Sequence, residues 1–122
     1  GSLPQSVIKE TVSFLKKFGI KFAIDDYGTG SSSSSMALNL PVDEIKIDMG
    51  FIRDIIENEK KQMMVQSIVD FANAVHVKTC LEGVADEKLE EYLRTYGASW
   101  FQGYYYSKSV SAEDLIKMIY LQ

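Results

Sequence analysis

The stretch IKFAIDDYGTG, residues 20–30, decides how the rest of the chain is read. Ile20 to Ile24 is an apolar run of strand length, and it leads directly into the acidic pair Asp25 and Asp26. A Gly/Ser stretch from Gly28 to Ser35 follows, where the chain must turn. Upstream, Ile8, Val12 and Leu15 recur at i, i+4 and i+7, which predicts a helix that Gly19 closes. Downstream, a short helix has to stop at Pro41. A buried strand flanked by helices on both sides is the unit from which parallel α/β sheets are built.

The same alternation continues to the end of the chain. Glu44 to Asp48 reads as a second strand, and Met64, Ile68, Ala72 and Val75 line one face of a helix starting near Glu59. Val77 to Leu81 is a third strand, followed by a helix marked by Leu89, Leu93 and Tyr96 and closed by Gly97. Ser99 to Tyr105 is a fourth strand, and Ser111 with Asp114 forms a capping box for a last helix. A leading helix followed by four β-then-α units predicts parallel strands with right-handed crossovers. A complete eight-unit barrel needs roughly 250 residues and at least about 200. With 122 residues the chain is expected to form half of a TIM-like (β/α) barrel, the alternative being a small open sheet.

Composition narrows the function classes. At 46% hydrophobic and 25% charged residues the chain is globular rather than disordered. No apolar run approaches the ~20 residues of a membrane-spanning helix, and the N-terminus lacks a secretory pattern. Gly1-Ser2 reads as a cloning remnant, leaving 3–122 as one domain. The single Cys80 excludes a disulfide framework and fits the cytoplasm. A net charge of −4 argues against a nucleic-acid partner.

Polar residues fall at the carboxyl end of every expected strand: Asp25 and Asp26, then Lys46 and Asp48, then Glu82, then Gln102. In parallel α/β folds those ends gather at the face where ligands bind. An isolated strand-end Asp is usually a cap or turn residue, so the argument rests on all four strands together. Adjacent carboxylates repel unless a cation or hydrogen bonds offset them, and oxygen-only ligands suit Mg²⁺ or Mn²⁺. Lys46 can neutralise a phosphate or position a water, its bland alternative being a salt bridge to one of the acids. Glu82 can act as general base, and Gln102 can donate or accept without charge. Gly28-Thr29-Gly30 lacks the third glycine and the Lys-Ser/Thr of nucleotide-binding loops. His76 reads as a helix-end residue and Cys80 as core. Trp100, Phe101 and Tyr104 to Tyr106 suit either base stacking or a strand core.

These residues resemble a known family. Phe22-Ala-Ile-Asp-Asp-Tyr-Gly-Thr-Gly30 resembles the Asp-Asp-Phe-Gly-Thr-Gly loop of EAL-type cyclic di-GMP phosphodiesterases. Leu40-Pro-Val-Asp-Glu-Ile-Lys-Ile-Asp48, Leu81-Glu-Gly-Val84 and Phe101-Gln-Gly-Tyr104 are similar to three further motifs of that family, in the same order. The separations, 21 residues from Asp25 to Lys46, 36 on to Glu82 and 20 on to Gln102, match the family pattern. The resemblance implies a barrel with two divalent metals, Mg²⁺ or Mn²⁺, that hydrolyses cyclic di-GMP to linear pGpG. It implies Asp25 and Asp26 as metal ligands, Lys46 orienting the attacking water, Glu82 as general base or metal partner, and Gln102 as a substrate-binding residue.

The chain departs from the family in beginning just before the fifth strand, without the Glu-Ala-Leu motif. Ala85 also stands where the family has glutamate, and Ser109 where it has proline. The fragment is therefore expected to be inactive alone. A non-catalytic cyclic di-GMP sensor or dimerisation module is the alternative, with a receiver domain more remote. Unpaired strand edges and an inner face carrying Ala23, Val77 or Lys78, Cys80 and Trp100 lead to an expected homodimer, or pairing with an N-terminal half-barrel.

Overall fold

The computed structural model describes residues 4–28 and 33–103. Helix α1 (Gln5–Lys16) precedes strand β1 (Ala23–Tyr27), helix α2 (Ser33–Asn39) and strand β2 (Glu44–Ile47). Next come the short helix α3 (Met49–Ile52), a 3₁₀ turn (Ile55–Glu57) and the long helix α4 (Glu59–Ala74). Strand β3 (Lys78–Glu82), helix α5 (Glu87–Leu93), a second 3₁₀ turn (Arg94–Tyr96) and strand β4 (Trp100–Gln102) complete the described part. The sheet order is β1-β2-β3-β4 and every pairing is parallel. Each strand thus lies beside the next one in the chain. That is the order of consecutive barrel units, and it differs from the 2-1-3-4-5 order of flavodoxin-like sheets.

One face of the sheet is covered by helices. Ile45, Ile47 and Leu81 are fully buried there against Val65, Val69 and Ala72 of α4 and against Leu93. The apolar stripe of α4 is Val65, Ile68, Val69 and Ala72, spaced i, i+3, i+4 and i+7. It is rotated from the expected face, so Met64 is exposed. Asn58 starts this helix by accepting the Lys61 amide at 3.1 Å, and Asp86 starts α5 by accepting that of Leu89 at 2.8 Å. At the sheet's β1 edge, Lys16 at the end of α1 bridges to Asp43 at 2.7 Å, and Asp43 also accepts the Phe22 amide at 2.9 Å. This carboxylate ties α1, the approach to β1 and the start of β2 together.

The structure differs from the sequence reading at several points, among them the fourth strand, which begins at Trp100 and gives way to a bend at Gly103 instead of continuing from Ser99 to Tyr105. The first strand runs Ala23–Tyr27, so Asp25 and Asp26 lie on it rather than after it. The serines at 33–35 belong to α2 rather than to a loop. Helix α3 was not expected, because four residues are too few to show a period. On the third strand Lys78, not Val77, shares a face with Cys80, while Val77 joins the helix-covered core. The open face is consequently polar rather than apolar: besides Ala23, Cys80 and Trp100 it carries Glu44, Lys46, Lys78, Glu82 and Gln102. The expected last helix at Ser111, Tyr104 to Tyr106, Ser109 and the centre of the loop at 29–32 lie outside the described residues.

Candidate active site at the strand ends

Regular alternation would send Asp25 and Asp26 to opposite faces of the sheet. The register shows how this is avoided. Ile24 pairs with Ile45, yet Tyr27 pairs with Ile47, so β1 spends one residue more than β2 over the same span. That extra residue is a β-bulge, and Asp26 takes it up with a left-handed φ of 51°. Both carboxylates are left exposed at the strand end, while Tyr27 returns to the core at 5% exposure and shares a hydrogen bond with Ser34 Oγ at 2.9 Å. The Asp26 amide donates to Asp25 Oδ1 at 3.0 Å.

Glu82, the last residue of β3, completes the cluster. Carboxylate oxygens of Asp25, Asp26 and Glu82 all lie within 4.8 Å of one another. Glu82 Oε1 is buried with no hydrogen-bond partner among the described residues, an arrangement that disfavours an anion. Burial, and after it the charge of Asp25, pushes the Glu82 carboxyl up to about 7. Asp26 is raised too, first by Asp25, then by burial and by Asp48. Three hard oxygen donors, one orphaned acceptor and mutual repulsion fit a divalent cation such as Mg²⁺ or Mn²⁺.

Lys46 lies on the same open face but deeper, at 3% exposure, paired in register with Cys80. Gln102 pairs with Glu82 across β3 and β4, and its Oε1 accepts a weak bond from the Cys80 thiol at 3.7 Å. Burial, then the charge of Glu44, pushes that thiol up to about 12, so Cys80 stays protonated and unreactive. An open cleft of about 720 Å³ is bounded by Glu82, Gln102 and Gly103 on the strand side and by Met49, Arg53 and Leu89 on the helix side. Of the five residues expected from sequence, Asp25, Asp26, Glu82 and Gln102 therefore sit at the strand-end rim, and Lys46 lies below them on the same side of the sheet. Glu82 belongs both to the carboxylate cluster and to the cleft, and Gln102 to the cleft. Met49 and Arg53 were missed because α3 was missed. The readable signal was Asp48, which N-caps α3 by accepting the Gly50 amide at 2.8 Å. Trp100, considered for base stacking, is half exposed at the opposite end of β4, where Lys78 lies 5.1 Å over its ring.

Residues 2–109 match the model of the EAL domain. The cyclic di-GMP phosphodiesterase PdeB of Shewanella oneidensis is 36% identical over 95 residues, which are 78% of this chain and 11% of that protein. An EAL domain protein from Listeria monocytogenes superimposes with a TM-score of 0.80 at 30% identity, covering 99% of this chain and 49% of that one. BlrP1 of Klebsiella pneumoniae, in a manganese/cyclic di-GMP complex, gives 0.73 at 32% identity over 83% of this chain and 26% of that one. The chain thus spans about half of the Listeria structure and a small part of PdeB.

Proposed function

Because this chain belongs to the EAL domain family, we propose that its strand ends form part of a site for metal-dependent hydrolysis of cyclic di-GMP to linear pGpG. The observation that carries this reading is the β1 bulge, which brings two successive aspartates and Glu82 to one point. Asp25 and Asp26 would hold Mg²⁺ or Mn²⁺, with Glu82 beside them. A cation bound there would supply Lewis-acid polarisation of the phosphodiester. Glu82, raised toward neutral pH, is suited to take the proton of an attacking water on its orphaned oxygen. Lys46 presents a fixed positive charge from below, orienting that water and favouring a phosphate over a neutral ligand. Gln102 contributes an uncharged amide to the cleft wall where the dinucleotide would lie.

The four described strands supply only one side of such a site, so the isolated chain should turn over negligibly. Its two edge strands favour closure against a second half-barrel, either another copy or an N-terminal half. The polar open face supports closure through the edges rather than through an apolar contact. The lone reduced thiol and a cyclic dinucleotide ligand both suit the cytoplasm. Among the described residues no helix is long and apolar enough to cross a membrane.

Calorimetry with cyclic di-GMP in Mn²⁺ and in EDTA, with chromatography for pGpG, tests the reading. Binding that requires Mn²⁺ and weakens in Asp25→Asn supports it. Binding unaffected by EDTA and without cleavage identifies a sensor instead, and no binding in either buffer removes cyclic di-GMP as the ligand.

A further inference from the structure

Helix α3 follows β2, the strand between the two that carry the carboxylate cluster, and reaches the loops on both sides. Asp25 and Asp26 lie on β1 with Tyr27 between them and Gly28, and Glu82 lies on β3 immediately before Gly83. Both glycines have left-handed backbones, φ 96° and 81°, and both abut α3. A Cβ on Gly28 would stand 3.1 Å from two ring carbons of Phe51, and one on Gly83 would stand 2.6 Å from the Cβ of Met49. Real side chains do not approach to 2.6 Å, so Gly83 and Met49 sit as close as two backbones with one side chain between them allow. Helix α3 is itself fixed from behind. Ile52 is fully buried, and Asp48 caps its first turn. Beyond it, Lys61 of α4 donates to the Arg53 carbonyl at 2.6 Å, and Gln62 donates to that of Ile55 at 2.9 Å.

We propose that α3 is a spacer that sets the distance between the Asp25–Asp26 bulge and Glu82. Phe51 against Gly28 and Met49 against Gly83 are its two footings, and both are positioning residues for cation binding. This rests on the reading of the three carboxylates as a cation site. Ligand geometry is sensitive to such support, and losing it typically weakens metal binding 10–100-fold.

The test is Mn²⁺ binding by the whole chain, followed by calorimetry and by the electron paramagnetic resonance signature of the bound ion. Gly83→Ala should weaken binding at least tenfold and alter the signature. Gly19→Ala serves as control, since Gly19 has nearly the same φ, 82°, but nothing within 4 Å of an added Cβ. It should bind as wild type does. Adding Met49→Gly to Gly83→Ala moves the single Cβ of this contact to the other residue and should restore binding, with urea midpoints of each variant separating lost binding from lost fold. Phe51→Leu, which stays apolar but withdraws the ring from Gly28, should also weaken binding, and it carries the test if Gly83→Ala does not fold. Wild-type binding in both Gly83→Ala and Phe51→Leu overturns the spacer. Binding that survives Asp26→Ala overturns the carboxylate reading instead, and a wild type that takes no Mn²⁺ overturns both.

Discussion

The two faces of this sheet are made by the same strands from alternate residues, yet they are built on opposite terms. On the helix-covered face Ile45, Ile47 and Leu81 lose all contact with solvent among other apolar side chains. On the open face their immediate neighbours Lys46 and Glu82 are polar, and one oxygen of the Glu82 carboxyl is buried without a partner among the described residues. Burial on the first face is favourable without further conditions. On the second it becomes favourable only when something else supplies the missing charge or hydrogen bond. Strand for strand, stability is concentrated on one side and the candidate site on the other.

The largest expected effect probes the covered face. Ile47→Ala should cost about 2–5 kcal/mol in urea unfolding, because the methylenes it removes leave a cavity that rigid neighbours cannot fill. Next is the junction at the β1 edge. Asp43→Ala should cost about 1–3 kcal/mol, since it strands the Phe22 amide and the Lys16 ammonium together. Burial alone would raise the Asp43 carboxyl. Its hydrogen bonds to Lys16 and Phe22 and the charges of Lys16 and Lys21 outweigh that and hold it below its ordinary range. Its contribution is thus present at neutral pH and lost only as the pH falls through that lowered value.

The open face should respond in the opposite sense. Without metal at pH 8, Glu82→Gln should stabilise the chain by about 1 kcal/mol after allowance for solvent screening. A carboxyl raised from 4.5 to about 7 on folding disfavours the folded state once it ionises. The penalty is complete above about 7 and disappears as the pH falls toward 4.5. Metal-free protein should therefore gain stability from this group between pH 8 and 5, while Mn²⁺ affinity falls over the same range as protons compete for Glu82. Urea midpoints and Mn²⁺ isotherms at the two pH values check both signs. The smallest effect is expected at Trp100, which is half exposed and has the Lys78 ammonium over its ring. Trp100→Ala should cost no more than about 1 kcal/mol. A loss as large as that of Ile47→Ala would mean that the open face is covered in solution, and light scattering would then show a species larger than one chain.

This contrast also explains what could be read from sequence. Covered-face residues announce themselves by period, so the four strands, α1 and α4 were legible in kind and order, while strand bounds and the rotation of the α4 stripe were misread. The candidate site residues stood out because each adjoins apolar residues of an expected strand: Asp25 and Asp26 after Ile24, Lys46 between two isoleucines, Glu82 after Leu81. The way the pair is brought together was not legible. A bulge is a difference in count between two strands, and neither strand carries it alone. Helix α3 escaped for a related reason, since its four residues act through what they touch on other loops rather than through a repeat. The polarity of the open face was obscured by phase: a one-residue shift in β3 exchanges Val77 for Lys78.

The strand order also bears on the history of each molecule as it is made. The first paired residues of successive strands are Ala23 with Glu44, Glu44 with Lys78, and Cys80 with Trp100, so each pairing closes a loop of 21, 34 or 20 residues. Loop-closure entropy changes by only about 0.5 kcal/mol across that range. No strand waits for a partner made much later, and each new unit meets an edge already formed. Assembly can proceed in the order of synthesis, with the growing sheet as the template for its own next strand.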